Sequence, residues 1–174
     1  MDLFLDTCVI FGWCYAKDDF FPVCTNFIKQ HPNAGNEYYT THYIVKQEIN
    51  DLKISRLQGR SKLIRLLEGR AKLLIPKIND VQCSTHALFH DIFDQIHALL
   101  LARRTDEKRK ENDAKLLTNA HIWDHAEAQL NCPHFVTLDE NDIVKNRTDI
   151  QAIVKSFTQN APRIQIESVH TMVT

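Results

Sequence analysis

The sequence has few of the residues that mark flexible linkers. Its 174 residues include only 4 glycines and 5 prolines, which are scattered along the chain. Linkers and low-complexity tails are rich in such residues, so the sequence predicts neither. With 44% hydrophobic and 25% charged residues, the chain is long and apolar enough to bury a core. We therefore expect a single domain over residues 1–174.

Cysteine pairs and membrane-type segments are also missing. The 5 cysteines are an odd number without a CxxC pair, which favours buried free thiols in a reducing compartment over a disulfide framework or a zinc ribbon. The N-terminus MDLFLDTCVI carries acids where a signal peptide has Lys or Arg. The longest apolar run, ALLLA at 98–102, is far below the ~20 residues that span a bilayer. These absences predict a cytoplasmic protein with no membrane partner.

The chain has almost no net charge. A formal charge of −1 creates no overall field that would attract nucleic acid. A polyanionic partner would therefore have to meet local basic patches or bound cations.

Short strand patterns alternate with helical patterns along the chain. Strands are predicted at 3–6, 37–40, 134–137 and 163–169. Helices are predicted at 18–32, 41–58, 61–75, 84–104, 113–130 and 147–159, with caps at Thr41, at Ser84 or Thr85, and at Thr148 or Asp149. This alternation predicts an α/β fold, namely a three-layer α/β/α sandwich with a mostly parallel central sheet.

Acidic residues lie where the predicted elements meet the edge of the core. Asp6 follows the first strand, Asp139 and Asp142 follow the strand in FVTLDENDI, and Asp113 opens a helix. Glu48 lies at the border of the apolar face of helix 41–58. A single acid in such a place is commonly a helix cap or a surface charge. Several at one sheet edge would repel one another unless cations joined them, so the pattern predicts a Mg²⁺ or Mn²⁺ site.

The motifs that carry these acids resemble those of the PIN-domain family of metal-dependent nucleases. They are FLDTCVI, VKQEIND, NDAKLLTNA and FVTLDENDI, in this order over residues 3–143. In the family, an Asp and a small polar residue end the first strand, a helix supplies a Glu, a later helix starts at an Asp, and Thr-x-Asp-x-x-Asp ends a strand. The matching positions here are Asp6 with Thr7, Glu48, Asp113, and Thr137 with Asp139 and Asp142. Relative to compact toxin members, the chain has a longer helical insertion around 60–112.

The resemblance implies hydrolysis of RNA phosphodiester bonds. Asp6, Asp113 and Asp139 would bind one or two Mg²⁺ or Mn²⁺ ions, and Glu48 and Asp142 would complete the acidic ring. The metal would activate water and stabilise charge on the phosphate. Thr7 and Thr137 would hydrogen-bond the acids or ligand waters, or alternatively the local backbone. Family membership also implies a homodimer and, for toxin-type members as opposed to RNA-processing enzymes, an antitoxin protein.

Basic side chains near the acids are candidates for holding the RNA backbone. Lys46, Lys53 and Arg60 are spaced by seven and would share a helix face beside Glu48. A second group directly precedes Asp113: Arg103, Arg104, Lys108, Arg109 and Lys110. The alternatives are a solvated helix face for the first group and a charged loop for the second.

Other functions and sites are weaker alternatives. One is a PIN-like module that binds RNA or protein without cleaving it. A receiver-like signalling domain also places acids at strand ends, but no Lys stands at a later strand end as that site requires. The i, i+4 pairs His86 with His90 and His121 with His125 could each bind a transition metal, yet no HExxH pattern supports them. The sequence shows no recognisable His partner for Cys8, so a packing role is the better interpretation of this residue.

Overall fold

A five-stranded parallel sheet forms the centre of the molecule. The computed structural model describes residues 1–30, 37–102, 107–126, 132–158 and 160–173. The strands are β1 Asp2–Leu5, β2 Glu37–Thr40, β3 Asn79–Asp80, β4 His134–Thr137 and β5 Gln165–Ser168. Their order is β3-β2-β1-β4-β5, and every neighbouring pair is parallel. The chain first builds the sheet on one side of β1 and then on the other, which creates a topological switch point between β1 and β4.

Helices cover both faces of this sheet. They are α1 Thr7–Cys14, α2 Phe21–Gln30, α3 His42–Arg56, α4 Ser61–Leu74, α5 Phe89–Leu101, α6 Glu107–Ala126, α7 Arg147–Thr158 and α8 Val169–Met172. Short 3₁₀ turns occur at Ile75–Lys77 and Val144–Asn146. Leu3 and Leu5 pack in one core cluster with α1 to α4 and α8, whereas Phe4 packs in another with α5 to α7. The predicted three-layer α/β/α sandwich is confirmed.

Burial on both sides explains why β1 is apolar at every central position. Leu3, Phe4 and Leu5 are fully buried, as expected for a parallel strand between two helical layers. The ring of Phe4 lies 5.8 Å from that of Phe135 on β4 and 6.0 Å from that of Trp123 on α6. These contacts join the middle of the sheet to the helix that carries Asp113.

Helices α5 and α6 begin at other residues than the sequence predicted. The prediction of Ser84 or Thr85 as a cap is wrong, because α5 begins at Phe89 and the backbone of His86 closes turns before it. The prediction that Asp113 opens a helix is also wrong. The charged stretch before Asp113 is already helical from Glu107 onward, since Glu, Lys and Arg lose little side-chain freedom in a helix.

The predicted caps are confirmed in part. Thr41 is the N-cap residue of α3, as predicted, but its hydroxyl donates to the carbonyl of Val81 at 3.0 Å and accepts no hydrogen bond from the helix. Helix α7 begins at Arg147, so Thr148 and Asp149 lie within its first turn and do not cap it. Tertiary contacts therefore override local capping at Thr41.

Three elements were absent from the sequence prediction. Helix α1 is buried on most sides, so it lacks the polar stripe that reveals an amphipathic helix. Strand β3 has only 2 residues, and α8 has 4. Residues 60–112, predicted as an insertion, contribute α4 to one core cluster, α5 to the other, and β3 to the edge of the sheet. No helix of the described residues is long and apolar enough to cross a membrane.

His121 makes the stability of this fold depend on pH. The residue is 1% exposed on α6, and neither ring nitrogen has a hydrogen-bond partner among the described residues. Burial lowers the pKa of His121 to about 4. The unfolded chain takes up a proton below pH ~6.5 that the folded chain does not, so this residue's contribution to stability is lost as pH falls.

We predict that replacing His121 with Leu removes part of the acid sensitivity. The free energy of unfolding of the native protein should fall, relative to that of His121→Leu, by roughly 3 kcal/mol between pH 6.5 and pH 4. Urea unfolding at several pH values measures this difference. His125→Leu, an exposed position on the same helix, should retain the native profile. Parallel profiles for the native protein and His121→Leu would contradict the assignment.

Candidate functional site

The predicted acids meet at the switch point of the sheet. Asp6 follows β1, and its backbone N–H donates to the carbonyl of Val136 on β4 at 3.0 Å. Asp139 lies two residues beyond the end of β4. Since β1 and β4 are parallel neighbours, their carboxyl ends place both acids at one edge of the sheet.

The carboxylate of Asp6 is held by two side chains. Its Oδ2 accepts a hydrogen bond from Thr137 Oγ1 at 2.6 Å and one from Cys8 Sγ at 3.1 Å. Thr137 Oγ1 in turn accepts from the backbone N–H of Asp139 at 2.9 Å. Burial raises the pKa of Asp6, the two side-chain hydrogen bonds lower it, and the charge of Asp139 raises it further, with a net upward shift. The predicted contact between Thr137 and an acid is therefore observed.

A tight turn after β4 brings the second pair of acids together. Oδ1 of Asp139 accepts from the backbone N–H of Asp142 at 2.9 Å. The carbonyl of Asp142 accepts from Asn146 Nδ2 at 2.7 Å, which fixes the following 3₁₀ turn. The three-residue spacing of the two acids in Thr-x-Asp-x-x-Asp therefore lets the side chain of the first acid accept from the backbone N–H of the second and close the turn.

Helix α6 supplies an acid and a cation from the other layer. Asp113 is buried, and Lys110 is only 1% exposed. Lys110 Nζ lies 3.0 Å from Asp113 Oδ2, 2.8 Å from Asp142 Oδ2 and 3.7 Å from Asp139 Oδ2. Burial lowers the pKa of Lys110. The charge of Asp113, the hydrogen bonds to Asp142 and Asp113 and the charge of Asp139 raise it by more, so the net shift of the pKa is upward. The ammonium therefore stays protonated among three carboxylates.

The remaining acids are close enough to affect Asp113. Burial, with the charge of Asp6 as the next cause, raises the pKa of Asp113 to about 7, although Lys110 lowers it. The charge of Glu48 on α3 also raises it. All five predicted acids, from β1, α3, α6 and the turn after β4, thus belong to one electrostatic cluster.

A cleft of about 820 Å³ opens over this cluster. Asp6, Glu48, Asp113 and Asp139 line it, together with Asp18, Asp51 and Glu140. Its other described lining residues include aromatic and aliphatic side chains and one arginine: Phe11, Phe20, Leu52, Ile54, His170 and Arg56. The cleft therefore combines an acidic floor with an apolar wall.

Several predicted nucleic-acid contacts differ in the structure. Lys110 is corrected from a phosphate contact to a buried ion pair, because its ammonium is enclosed by carboxylates. Helix α3 ends at Arg56, so Arg60 does not share its face with Lys46 and Lys53. Lys53 pairs with Glu68 of α4 at 2.8 Å, whereas Lys46 is exposed.

The basic residue that does line the cleft was missed by the sequence prediction. It is Arg56, in the last turn of α3. Arg56 reaches the cleft because α3 extends this far. The seven-residue spacing of the other basic residues did not indicate where α3 ends. Arg103 and Arg104 lie outside the described residues, as do the side chains of Lys108 and Arg109.

Two residues next to Asp6 complete the site. Thr7 is buried, and its Oγ1 has no hydrogen-bond partner within the described part of the chain. The predicted bond from Thr7 to an acid is therefore not observed. Burial and the charge of Asp6 raise the pKa of the Cys8 thiol well above its usual value. Cys8 is thus a neutral hydrogen-bond donor and not a thiolate nucleophile.

The two histidine pairs, which were weak alternatives for a metal site, each combine residues in different settings. His86 precedes α5 while His90 lies within it, and His121 is buried while His125 is exposed. Within the described residues, no group of three or more His, Cys, Asp or Glu side chains is arranged to hold a metal ion.

The donor chemistry of the cleft nevertheless fits a hard divalent cation. Asp6 and Asp113 both have a raised pKa, as expected for buried acids that repel one another. The buried hydroxyl of Thr7 is an unpaired polar group one residue from Asp6. Carboxylate oxygens are the ligands that Mg²⁺ and Mn²⁺ prefer.

We predict that Thr137→Val destabilises the protein because Asp6 loses its shortest hydrogen bond. The expected loss is about 1–3 kcal/mol in the free energy of unfolding, measured by urea unfolding in EDTA. Thr118→Val is the matched control, since Thr118 is fully buried and its Oγ1 has no partner among the described residues. The control should be neutral or stabilising. Equal losses in both variants would contradict a specific role for the Thr137 hydroxyl.

The chain was compared with known proteins at the level of family, sequence and structure. No family model, no curated protein and no solved structure matches it.

Proposed function

We propose that this protein is a metal-dependent endoribonuclease of the PIN-domain kind, which hydrolyses RNA phosphodiester bonds with water activated by Mg²⁺ or Mn²⁺. One observation carries the proposal: the acids of four separate motifs converge on one cleft at the switch point of a parallel sheet. Such switch points are where open α/β sheets bind ligands.

The residues of the site would have different roles in this reaction. Asp6, Asp113 and Asp139 would hold the cation, with Glu48 and Asp142 adding negative charge around it. The bound ion would lower the pKa of a water and neutralise charge on the phosphate. Thr137 and Cys8 fix the orientation of the Asp6 carboxylate. A side-chain nucleophile is not required, which agrees with the protonated state of Cys8.

The apolar wall of the cleft suits unpaired bases. Phe20 is 43% exposed, and its ring lies 6.0 Å from that of His170 in an edge-on arrangement. Both residues line the cleft, as does Arg56. An exposed aromatic ring stacks on any base, and an arginine binds a phosphate, so these residues would hold a single strand above the acids. The preference for RNA over DNA rests on the family resemblance.

Partners of the whole protein are part of the same proposal. Leu66 and Leu73 on α4 are 55% and 72% exposed and lie seven residues apart, so they share a helix face. We propose this face as the contact between two copies in a homodimer. A toxin role would add an antitoxin protein, whereas an RNA-processing role would not. A cytoplasmic location stays a prediction.

A second candidate function is a PIN-like module that binds RNA or protein without cleaving it. The position of Lys110 favours it, because the ammonium already occupies the space between Asp113, Asp139 and Asp142. In that case the cleft would bind its partner without a catalytic ion.

We predict that the native protein cleaves labelled single-stranded RNA in Mn²⁺ and that EDTA abolishes the cleavage. Asp6→Asn keeps the shape of the side chain and removes its charge, so it should lower the rate by roughly 100-fold or more. Asp149→Asn, an exposed acid in α7, should cleave as the native protein does. Gel analysis of the products measures all four reactions.

The cleavage assay separates the two candidate functions. A native protein that binds several RNAs without cutting any of them in Mn²⁺ or Mg²⁺ would support the binding module. Cleavage that persists in Asp6→Asn would show that the acidic cluster is not the active site.

We predict that Phe20→Leu weakens binding of single-stranded RNA because a stacking surface is lost. Loss of one stacked base should raise Kd about 5- to 100-fold, and Phe20→Tyr should retain native affinity. Fluorescence anisotropy in the Asp6→Asn background measures binding without cleavage. An unchanged Kd in Phe20→Leu would place the bases elsewhere.

A further inference from the structure

The buried ammonium of Lys110 is a part of the acidic cluster that the proposed chemistry does not use. It lies within 3.0 Å of Asp113 Oδ2 and within 2.8 Å of Asp142 Oδ2, and Asp139 Oδ2 is 3.7 Å away. Its side chain is 1% exposed. Removing an ammonium from water costs several kcal/mol, so Lys110 is tolerated here only because these carboxylates surround it.

At this point of the acidic cluster the carboxylates enclose a cation that belongs to the chain itself. Three carboxylate oxygens, from two separate parts of the chain, face the same ammonium. Asp113 comes from α6, whereas Asp139 and Asp142 come from the turn after β4. The turn is fixed by its own hydrogen bonds, so the backbone positions of Asp139 and Asp142 do not depend on the lysine.

We propose that Lys110 is a built-in cation, and that its ammonium fills a position of the acidic cluster which a divalent ion takes when the lysine is removed. The inference rests on the proposed function, because it describes the same acidic site and sets how many ions that site takes. The native protein binds one divalent ion fewer than a variant without the lysine charge. In the native site, Lys110 supplies one of the positive charges that balance the acids, and the bound metal ion supplies the others.

The physical reason lies in the charge that Lys110 offsets. Without the ammonium, the three acids would lose the cation that they share. Close buried carboxylates repel, so the space would take up either protons or a metal ion. Oxygen ligands of this kind suit Mn²⁺ and Mg²⁺. At neutral pH and millimolar Mn²⁺ we expect the metal ion to bind.

The test counts bound Mn²⁺ ions per chain by electron paramagnetic resonance of the free ion, at constant ionic strength. The proteins are the native chain, Lys110→Met and the control Lys115→Met. Lys115 belongs to the same helix, but its ammonium pairs with Glu111 in a partly exposed ion pair. The expected result is one additional ion for Lys110→Met and the native count for Lys115→Met. The same count in Lys110→Met as in the native chain would overturn the proposal.

The two quantities in this experiment test different claims. The difference between Lys110→Met and the native chain tests the role of Lys110. The native count itself tests the proposed function, because a native chain that binds no Mn²⁺ and cleaves no RNA is not a metal-dependent nuclease. A difference of one ion with a native count of zero would support the lysine's role and reject the nuclease.

If Lys110→Met does not fold in EDTA, circular dichroism measures whether Mn²⁺ restores its folding. Folding of this variant on addition of Mn²⁺, but not of NaCl at equal ionic strength, would show that the metal replaces the ammonium. A variant that stays unfolded in Mn²⁺ would overturn the proposal.

Discussion

Repulsion between buried carboxylates is the constraint on which the rest of this site depends. Parallel pairing of β1 with β4 brings Asp6 and Asp139 to one sheet edge, and α6 adds Asp113 from the opposite layer. Like charges in a low-dielectric setting destabilise each other strongly. The fold offsets this with the Lys110 ammonium and with hydrogen bonds from Thr137 and Cys8 to Asp6. Asp113 still has a raised pKa, so the compensation is incomplete.

The same constraint links the fold to the proposed activity. A cluster in which the acids outnumber the cations gains stability from a further cation, and binding to the folded state alone shifts the folding equilibrium. Rigid elements present the acids: β1 is fully buried at Leu3, Phe4 and Leu5, and the turn after β4 is closed by Asp139 itself. Rigid placement of this kind would preorganise the acids for the proposed activity.

The sequence predicted the layers and the acids because both follow from local patterns. Strands β2 and β4 coincide with the predicted segments, and each acid stood next to a recognisable element. Helix α1 was missed because it is apolar on most sides. The role of Lys110 could not be predicted, since it depends on the distance between α6 and the turn after β4, which no spacing along the chain encodes. Arg56 at the end of α3 and Phe20 in the turn before α2 come together at the cleft only in the folded chain.

The most direct test of the acidic cleft as a metal site is anomalous diffraction from crystals of the native protein grown with Mn²⁺. A manganese peak beside the carboxylates of Asp6 and Asp113, with the Lys110 ammonium still between Asp113 and Asp142, is the result we expect. A map with no manganese in the cleft, or with manganese only at surface residues elsewhere, would contradict it.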